Sequence, residues 1–145
     1  LIGFNALAYV LPPLRSNTDK KALQEGLQDG TIDAICSHHE PLAKTAKQAP
    51  FAECKPGISN FDTFMGLACQ LVKEGILTPT QLVEKIALNP AKIAGIEASY
   101  HQTGGAVLVD PSLTWTVTKE SMMSQGKNTP FINSELTGKV EQVYF

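Results

Sequence analysis

Basic clusters are missing from this chain. Its 12 Lys and Arg are scattered among 14 Asp and Glu, for a net charge of −2, whereas a nucleic-acid surface needs a concentrated positive footprint. Long apolar runs are missing too, since no stretch approaches the ~20 residues of a membrane-spanning helix. The opening "LIGFNALAYVLPPLR" has no basic n-region and carries a Pro-Pro break, unlike a secretory leader. Cysteine is scarce: Cys36, Cys54 and Cys69 stand far apart with no C-x-x-C pair. That argues against a disulfide framework and fits reduced thiols, buried as small hydrophobes, in a cytoplasmic protein. No Ser or Cys sits in a nucleophile elbow, and no glycine-rich loop is shaped to cradle phosphate. Neither an internal repeat nor a low-complexity tract occurs.

What is present is ordinary globular material, 43% apolar and 18% charged over 145 residues, enough for one domain. The chain opens on Leu1 without a Met, inside a segment patterned as structured, so it is expected to be a piece of something longer.

The pattern along the chain predicts alternating strands and helices. "ALAYVLPPLR" (6–15) reads as a short strand stopped by Pro12-Pro13, because proline cannot donate to a ladder. "SNTDKKALQEGLQDG" supplies helix-start residues, an apolar face of Ala22, Leu23 and Leu27, and Gly30 as the stop. "TIDAICS" (31–37) fits a buried parallel strand, so residues 6–37 read as a βαβ unit. An irregular loop of about 20 residues follows, of a length that in compact domains usually carries function. "SNFDTFMGLACQLVKEG" and "TPTQLVEKIAL" read as amphipathic helices, and "NPAKIAG" as a short separate one capped by Asn89. Beyond residue 95, "GGAVLVDP", "TWTVT" and "GKVEQVYF" read as strands, with one helical turn at "KESMMSQG". The expected fold class is thus α/β followed by a small β-rich tail.

In parallel α/β folds, function sits where loops leave the carboxyl ends of strands. That singles out "LPPLR" and, above all, "SHHEPL" (37–42). His38 and Glu40 are two apart and in extended chain face the same way. With His38 or His39 as nitrogen ligand and Glu40 as oxygen ligand, a metal could be held. A site needs three protein ligands, however, and the remaining histidine, His101, lies in the tail. Adjacent histidines at a strand end are more often partly exposed loop residues.

The ordered blocks "PPLRSNTDKKALQEGLQDGTIDAI", "FAECKPGISNFDT", "LVKEGILTPTQLVEKIALNPAKIAGI" and "KNTPFINSELTGKV" resemble the dihydroorotases. These are (β/α)8 TIM-barrel amidohydrolases of pyrimidine biosynthesis that use a zinc pair to open or close a cyclic amide. The resemblance implies the carboxyl-terminal part of such a barrel. Residues 1–95 would carry its last two strands and closing helices, and residues 96–145 the tail strands of a side β-domain. Zinc ligands from earlier strands would precede Leu1.

The resemblance also assigns roles. Leu11 stands where the family writes an Asn that touches the pyrimidine ring. The family's "DHAPH" reads here "HHEPL", which puts His38 at the metal-binding Asp and general base, His39 at the first His, and Leu42 at the His that grips the substrate carboxylate. Pro56 and Gly57 keep the loop whose backbone meets substrate. Leu11, His38 and Leu42 are therefore degenerate positions, and His38 and His39 are only weak metal candidates, so this segment is expected to bind no cofactor of its own. Zinc is expected only if upstream ligands and activity are intact.

The pattern resembles the inactive dihydroorotase-like chains that accompany aspartate carbamoyltransferase, which implies a structural subunit. An active metal-dependent dihydroorotase, or a related cyclic amidohydrolase with altered residues, is the alternative. A free-standing binding module is a third reading, against which two parallel strands would leave a long open edge. The remainder of the barrel, or another copy of the chain, is the expected cover for that edge. Neither nucleic acid nor membrane is an expected partner.

Overall fold

A computed structural model describes residues 3–96 and 105–144. The regular elements are α1 (Asn17–Asp29), α2 (Phe61–Lys73), α3 (Pro79–Val83), a π-helical turn (Glu84–Leu88), α4 (Asn89–Ile93), β1 (Ala106–Thr116) and β2 (Glu135–Tyr144). Single 3-10 turns lie at Ala6–Ala8, Lys44–Lys47 and Phe51–Glu53. The chain forms two compact units. One comprises Leu1–Arg15, Ser37–Phe64 and Thr116–Leu136; the other comprises Ser16–Cys36, Met65–Trp115 and Thr137–Phe145.

The second unit contains the main apolar cluster. Ser16 opens α1 with a reciprocal capping box to Asp19, and Gly30 closes it at φ +86°, which satisfies the helix-end groups that have no partner inside the helix. Leu27 then packs with Ala68, Leu77 and Leu82, surrounded by Ile32, Ile35, Leu71, Val72, Ile76 and Ile86. Thr78 and Gln81 form a second capping box ahead of α3, with Pro79 at its first turn. Asn89 does not cap a separate helix as expected. It is helical itself (φ −65°, ψ −44°), so α3, the π turn and α4 run on continuously, and its side chain donates to Asp33 O at 2.9 Å. The wide turn falls just before Pro90, whose nitrogen has no hydrogen to extend an α-type ladder.

The two expected parallel strands are not formed as ladders. Residues 6–8 make a 3-10 turn capped by the Asn5 side chain. Within 31–37, Ile35 N donates to Lys85 O at 2.9 Å and Ile32 O accepts the buried Lys85 ammonium. Backbone groups taken from water must be paired, and here helix side chains and carbonyls do the pairing. Among the described residues the parallel pairing is a single bridge, His39 to Ile58.

In the tail, the two expected short strands fuse into β1, running through Pro111. A two-stranded sheet leaves each strand one free side, where a proline lacking N–H is tolerated. β1 pairs with β2. Thr114 lies opposite Thr137 (Oγ1–Oγ1 3.2 Å) and Gly105 near Tyr144, so the pair is antiparallel. Trp115 Nε1 donates to Gly138 O at 3.1 Å, beneath the Lys139 ammonium. Residues 119–126 form no helical turn; Thr118 and Ser121 instead exchange hydrogen bonds of 2.9 and 3.1 Å. The cysteines are free: Cys54 is buried and Cys69 half-buried, its thiol pushed up by that burial, but Cys36 is exposed rather than buried.

In the first unit, the Asp62 carboxylate anchors the 122–124 segment. It accepts the Met123 N–H at 2.6 Å and the Ser124 hydroxyl. Burial pushes its pKa up, but the bonds from Ser124 and Met123 outweigh that and hold it below the usual carboxylate value. A depressed folded-state pKa stabilises above the unfolded value and is lost as pH falls through the folded one. Asp62→Asn should therefore cost about 1 kcal/mol near neutral pH, and less as the pH drops below about 4, read from urea midpoints across pH.

Glycine positions give a second test. Gly138 (φ +101°) has no room for a Cβ, which would come within 2.7 Å of Cys69 Cβ, whereas Gly30 (φ +86°) faces open space. Gly30→Ala should cost about 1–2 kcal/mol from the left-handed backbone alone. Gly138→Ala should cost at least about 1 kcal/mol more, because strain and overpacking add there. Urea denaturation of the two variants compares them directly.

Candidate functional site

The positions singled out in the sequence lie in the first unit, on segments 1–15 and 37–64. His38 adopts a left-handed backbone, φ +45°. Its Nε2 stands 3.1 Å from the Leu11 carbonyl oxygen and 3.8 Å from Glu40 Oε1, with both side chains about half exposed (50% and 46%). A carbonyl only accepts, so Nε2 carries the hydrogen in this contact. Two of the expected positions, Leu11 and His38, are thereby brought together, through the main chain of one and the ring of the other. His38 and Glu40 do face the same way.

His39 serves a different purpose. Its Nδ1 accepts the backbone N–H groups of Asn60 (3.1 Å) and Phe61 (3.0 Å), and its ring meets Phe61 edge-on at 5.7 Å. The imidazole thus acts as the acceptor at the start of α2, the place a Ser or Asp usually fills. Asn60 braces the same junction, donating to Ser37 O at 2.9 Å and accepting from the Thr63 hydroxyl at 2.8 Å.

Leu42 is half-buried, and its N–H donates to Asn128 Oδ1 at 2.8 Å. Gly57 is buried with φ +129°, and a Cβ there would sit 2.9 Å from both Cβ and Oε2 of Glu40. Its N–H is given to Tyr9 O (2.9 Å) and its carbonyl accepts from Asn128 Nδ2 (3.1 Å). The backbone donor of the Pro56–Gly57 loop is therefore committed inside the protein. His101 lies outside the described residues.

Nearby, Lys47 donates to Ala6 O (2.8 Å) and Tyr9 O (3.2 Å) and lies 5.7 Å from the Tyr9 ring centroid. Burial lowers its pKa, and the neighbouring Cys54 and Glu40 oppose that. The sequence analysis singled out neither Lys47 nor Asn128. A lysine in an irregular loop and an asparagine in "KNTPF" carry no local signal; their roles come from partners 38 to 88 residues away.

These donors do not make a zinc set. With its Nε2–H given to a carbonyl, His38 has Nδ1 as its ligand atom, the His39 Nδ1 lone pair already accepts two N–H groups, and Glu40 is the carboxylate beside them, which is fewer than three donors. Among the described residues, no group of three or more His, Cys, Asp or Glu is placed to hold a metal ion. The buried side-chain polar atom without a partner there is the neutral hydroxyl of Ser59, not a ligand awaiting a cation. No helix among them is long and apolar enough to cross a membrane.

No family model matches the chain. It is 44% identical over 141 residues to a protein named dihydroorotase from Syntrophus aciditrophicus, covering 95% of this chain and 33% of that one. It is 40% identical over 143 residues to a dihydroorotase-like protein from Pseudomonas aeruginosa, covering 97% and 34%. Among solved structures it superposes on a D-hydantoinase with TM-score 0.82 at 23% identity, covering 97% of this chain and 33% of that one. The L-hydantoinase (dihydropyrimidinase) from Arthrobacter aurescens gives 0.79 at 23%, again covering 97% and 33%. At such identity the structural likeness shows fold alone, that of TIM-barrel amidohydrolases. The chain spans about a third of the length of the curated relatives it matches. It is accordingly an α/β segment that shares the fold of a third of these hydantoinases and is covered along nearly all its length by homologues named dihydroorotase.

Proposed function

We propose that the whole protein is a dihydroorotase-like cyclic amidohydrolase of pyrimidine biosynthesis, and that the part of the site carried here is catalytically degenerate. In this reading residues 1–95 belong to the barrel and 96–145 to a side β-domain, in a cytoplasmic protein. The chain would act as a structural subunit, with the remainder of the barrel or another copy of the chain against it and aspartate carbamoyltransferase as its partner.

The observation that carries the reading is the state of His38. At the position the resemblance gives to a metal-binding carboxylate there is an imidazole, which gives its Nε2–H to the Leu11 carbonyl. A carboxylate near a dication is worth on the order of 4 kcal/mol at ~4 Å in an effective dielectric of ~20, and an imidazole brings no negative charge. Loss of a positioned general base typically slows a reaction by about 10²–10⁴-fold. Leu11 and Leu42 offer no side-chain hydrogen bond, so neither can hold a polar ring or a carboxylate, and a polar substrate would lose its grip with them. What these residues do instead is hold the loops together. His39 caps α2, His38 ties its turn to the segment before it, and Gly57 gives its N–H to Tyr9.

The relatives named dihydroorotase favour a second reading, an active enzyme in which His38 takes over as base and metal ligands come from elsewhere. The full-length protein separates the two. The degenerate subunit is expected to carry substoichiometric zinc by atomic emission, to leave dihydroorotate unchanged over hours, and to co-elute with aspartate carbamoyltransferase on size exclusion. Stoichiometric zinc with turnover above the enzyme-free rate would overturn the proposal in favour of the active enzyme.

A companion variant measures how far the degeneracy reaches. His38→Asp combined with Leu42→His is expected to raise zinc content in the full-length protein. No gain would place further losses outside this segment.

A further inference from the structure

We infer that Asn128 is the positioning residue of the candidate site: one buried carboxamide sets the spacing between the 40–42 and 57–59 segments, whichever side chains those segments carry. Asn128 is 4% exposed. Its Oδ1 accepts the Leu42 N–H at 2.8 Å, while Nδ2 donates to Glu40 O at 3.0 Å and to Gly57 O at 3.1 Å. Its own backbone oxygen accepts the Ser59 N–H at 3.0 Å. A carboxamide has two N–H donors and one carbonyl acceptor, and all three are used here, on main-chain groups of two segments remote from it in sequence.

The approach is built into the backbone as well. Gly126, two residues earlier, lies so close to the 41–42 segment that a Cβ would come within 2.6 Å of Pro41 Cβ and 2.8 Å of Leu42 N. On the other side, Glu40 N donates to Ile58 O at 2.9 Å. The main-chain groups that flank His38 and Gly57 are thus committed from both directions, and Asn128 is the side chain that reaches both segments at once. Aspartate has the same size and shape but no donor for the two carbonyls when ionised, and leucine has neither donor nor acceptor. The inference goes beyond the functional reading and does not depend on turnover, since it concerns where the segments sit.

The test compares Asn128→Ala and Asn128→Asp in the full-length protein by amide hydrogen exchange and thermal midpoint. For Asn128→Ala, the Leu42 amide is expected to exchange about tenfold faster or more, the equivalent of one lost net hydrogen bond, with Leu27 in α1 unchanged. An equal rise at Leu42 and Leu27, or none at either, would make Asn128 a space-filling residue and overturn the inference.

Asn128→Asp keeps the volume, so it gives a second readout free of any cavity. A carboxyl facing two carbonyls is held protonated, which raises its folded-state pKa above the unfolded value of about 3.9. Stability from that protonated form is present below the unfolded pKa and lost as pH rises through the folded one. The gap in thermal midpoint between Asn128→Asp and the unaltered protein should therefore be smallest below pH about 4 and widen toward pH 8. The titratable groups on the segments around it, His39, Glu40 and Lys127, are common to both proteins and cancel in that difference. A gap that does not change with pH overturns the inference even if Asn128→Ala fails to fold.

Discussion

A peptide group removed from water has to find a partner within the protein, and in this chain the partners are mostly not neighbouring strands. Segments patterned to lie in a parallel sheet satisfy their polar atoms with side chains instead. Lys85 reaches Ile32 O, Asn89 reaches Asp33 O, Lys47 takes the carbonyls of Ala6 and Tyr9, His39 receives two N–H groups, and Asn128 serves both sides of the central loops. Each is a single long-range contact in place of a cooperative ladder. The long irregular segments hold their shape because such contacts are spaced along them.

The same arrangement makes the candidate site part of the frame. Several of its polar groups are bound to the protein: an imidazole N–H to a carbonyl, another imidazole nitrogen to two amides, a loop N–H to Tyr9. Glu40, packed on Gly57 and facing His38, is the exposed charge that remains, and one carboxylate beside one imidazole is too few for a tightly held metal ion.

Much of the helical half of the chain was legible from local pattern. The Gly30 stop and the apolar face of α2 around Ala68, Leu71 and Val72 lie where spacing puts them, although Phe61 is exposed, since stops and amphipathic stripes are short-range features. That the loop after residue 37 carries two histidines and a glutamate was legible as well. What those histidines do was not. An imidazole that caps a helix and one that binds a metal look alike until the Asn60 and Phe61 amides are seen pointing at it. The 6–15 and 31–37 segments were expected as ladder strands and form no ladder among the described residues, since apolar runs specify burial and not which atoms will pair with the backbone. β1 was expected in two pieces, but it runs on through Pro111, which the free side of a two-stranded sheet accommodates.

The positive φ at His38 restricts the vocabulary of its position. Among residues with a Cβ, that region of backbone space admits Asn, Asp and His far more readily than branched or bulky side chains. An acid and an imidazole are therefore interchangeable there as far as the turn is concerned. The charge carried at this corner can be rewritten in one step while the architecture around it stays as it was.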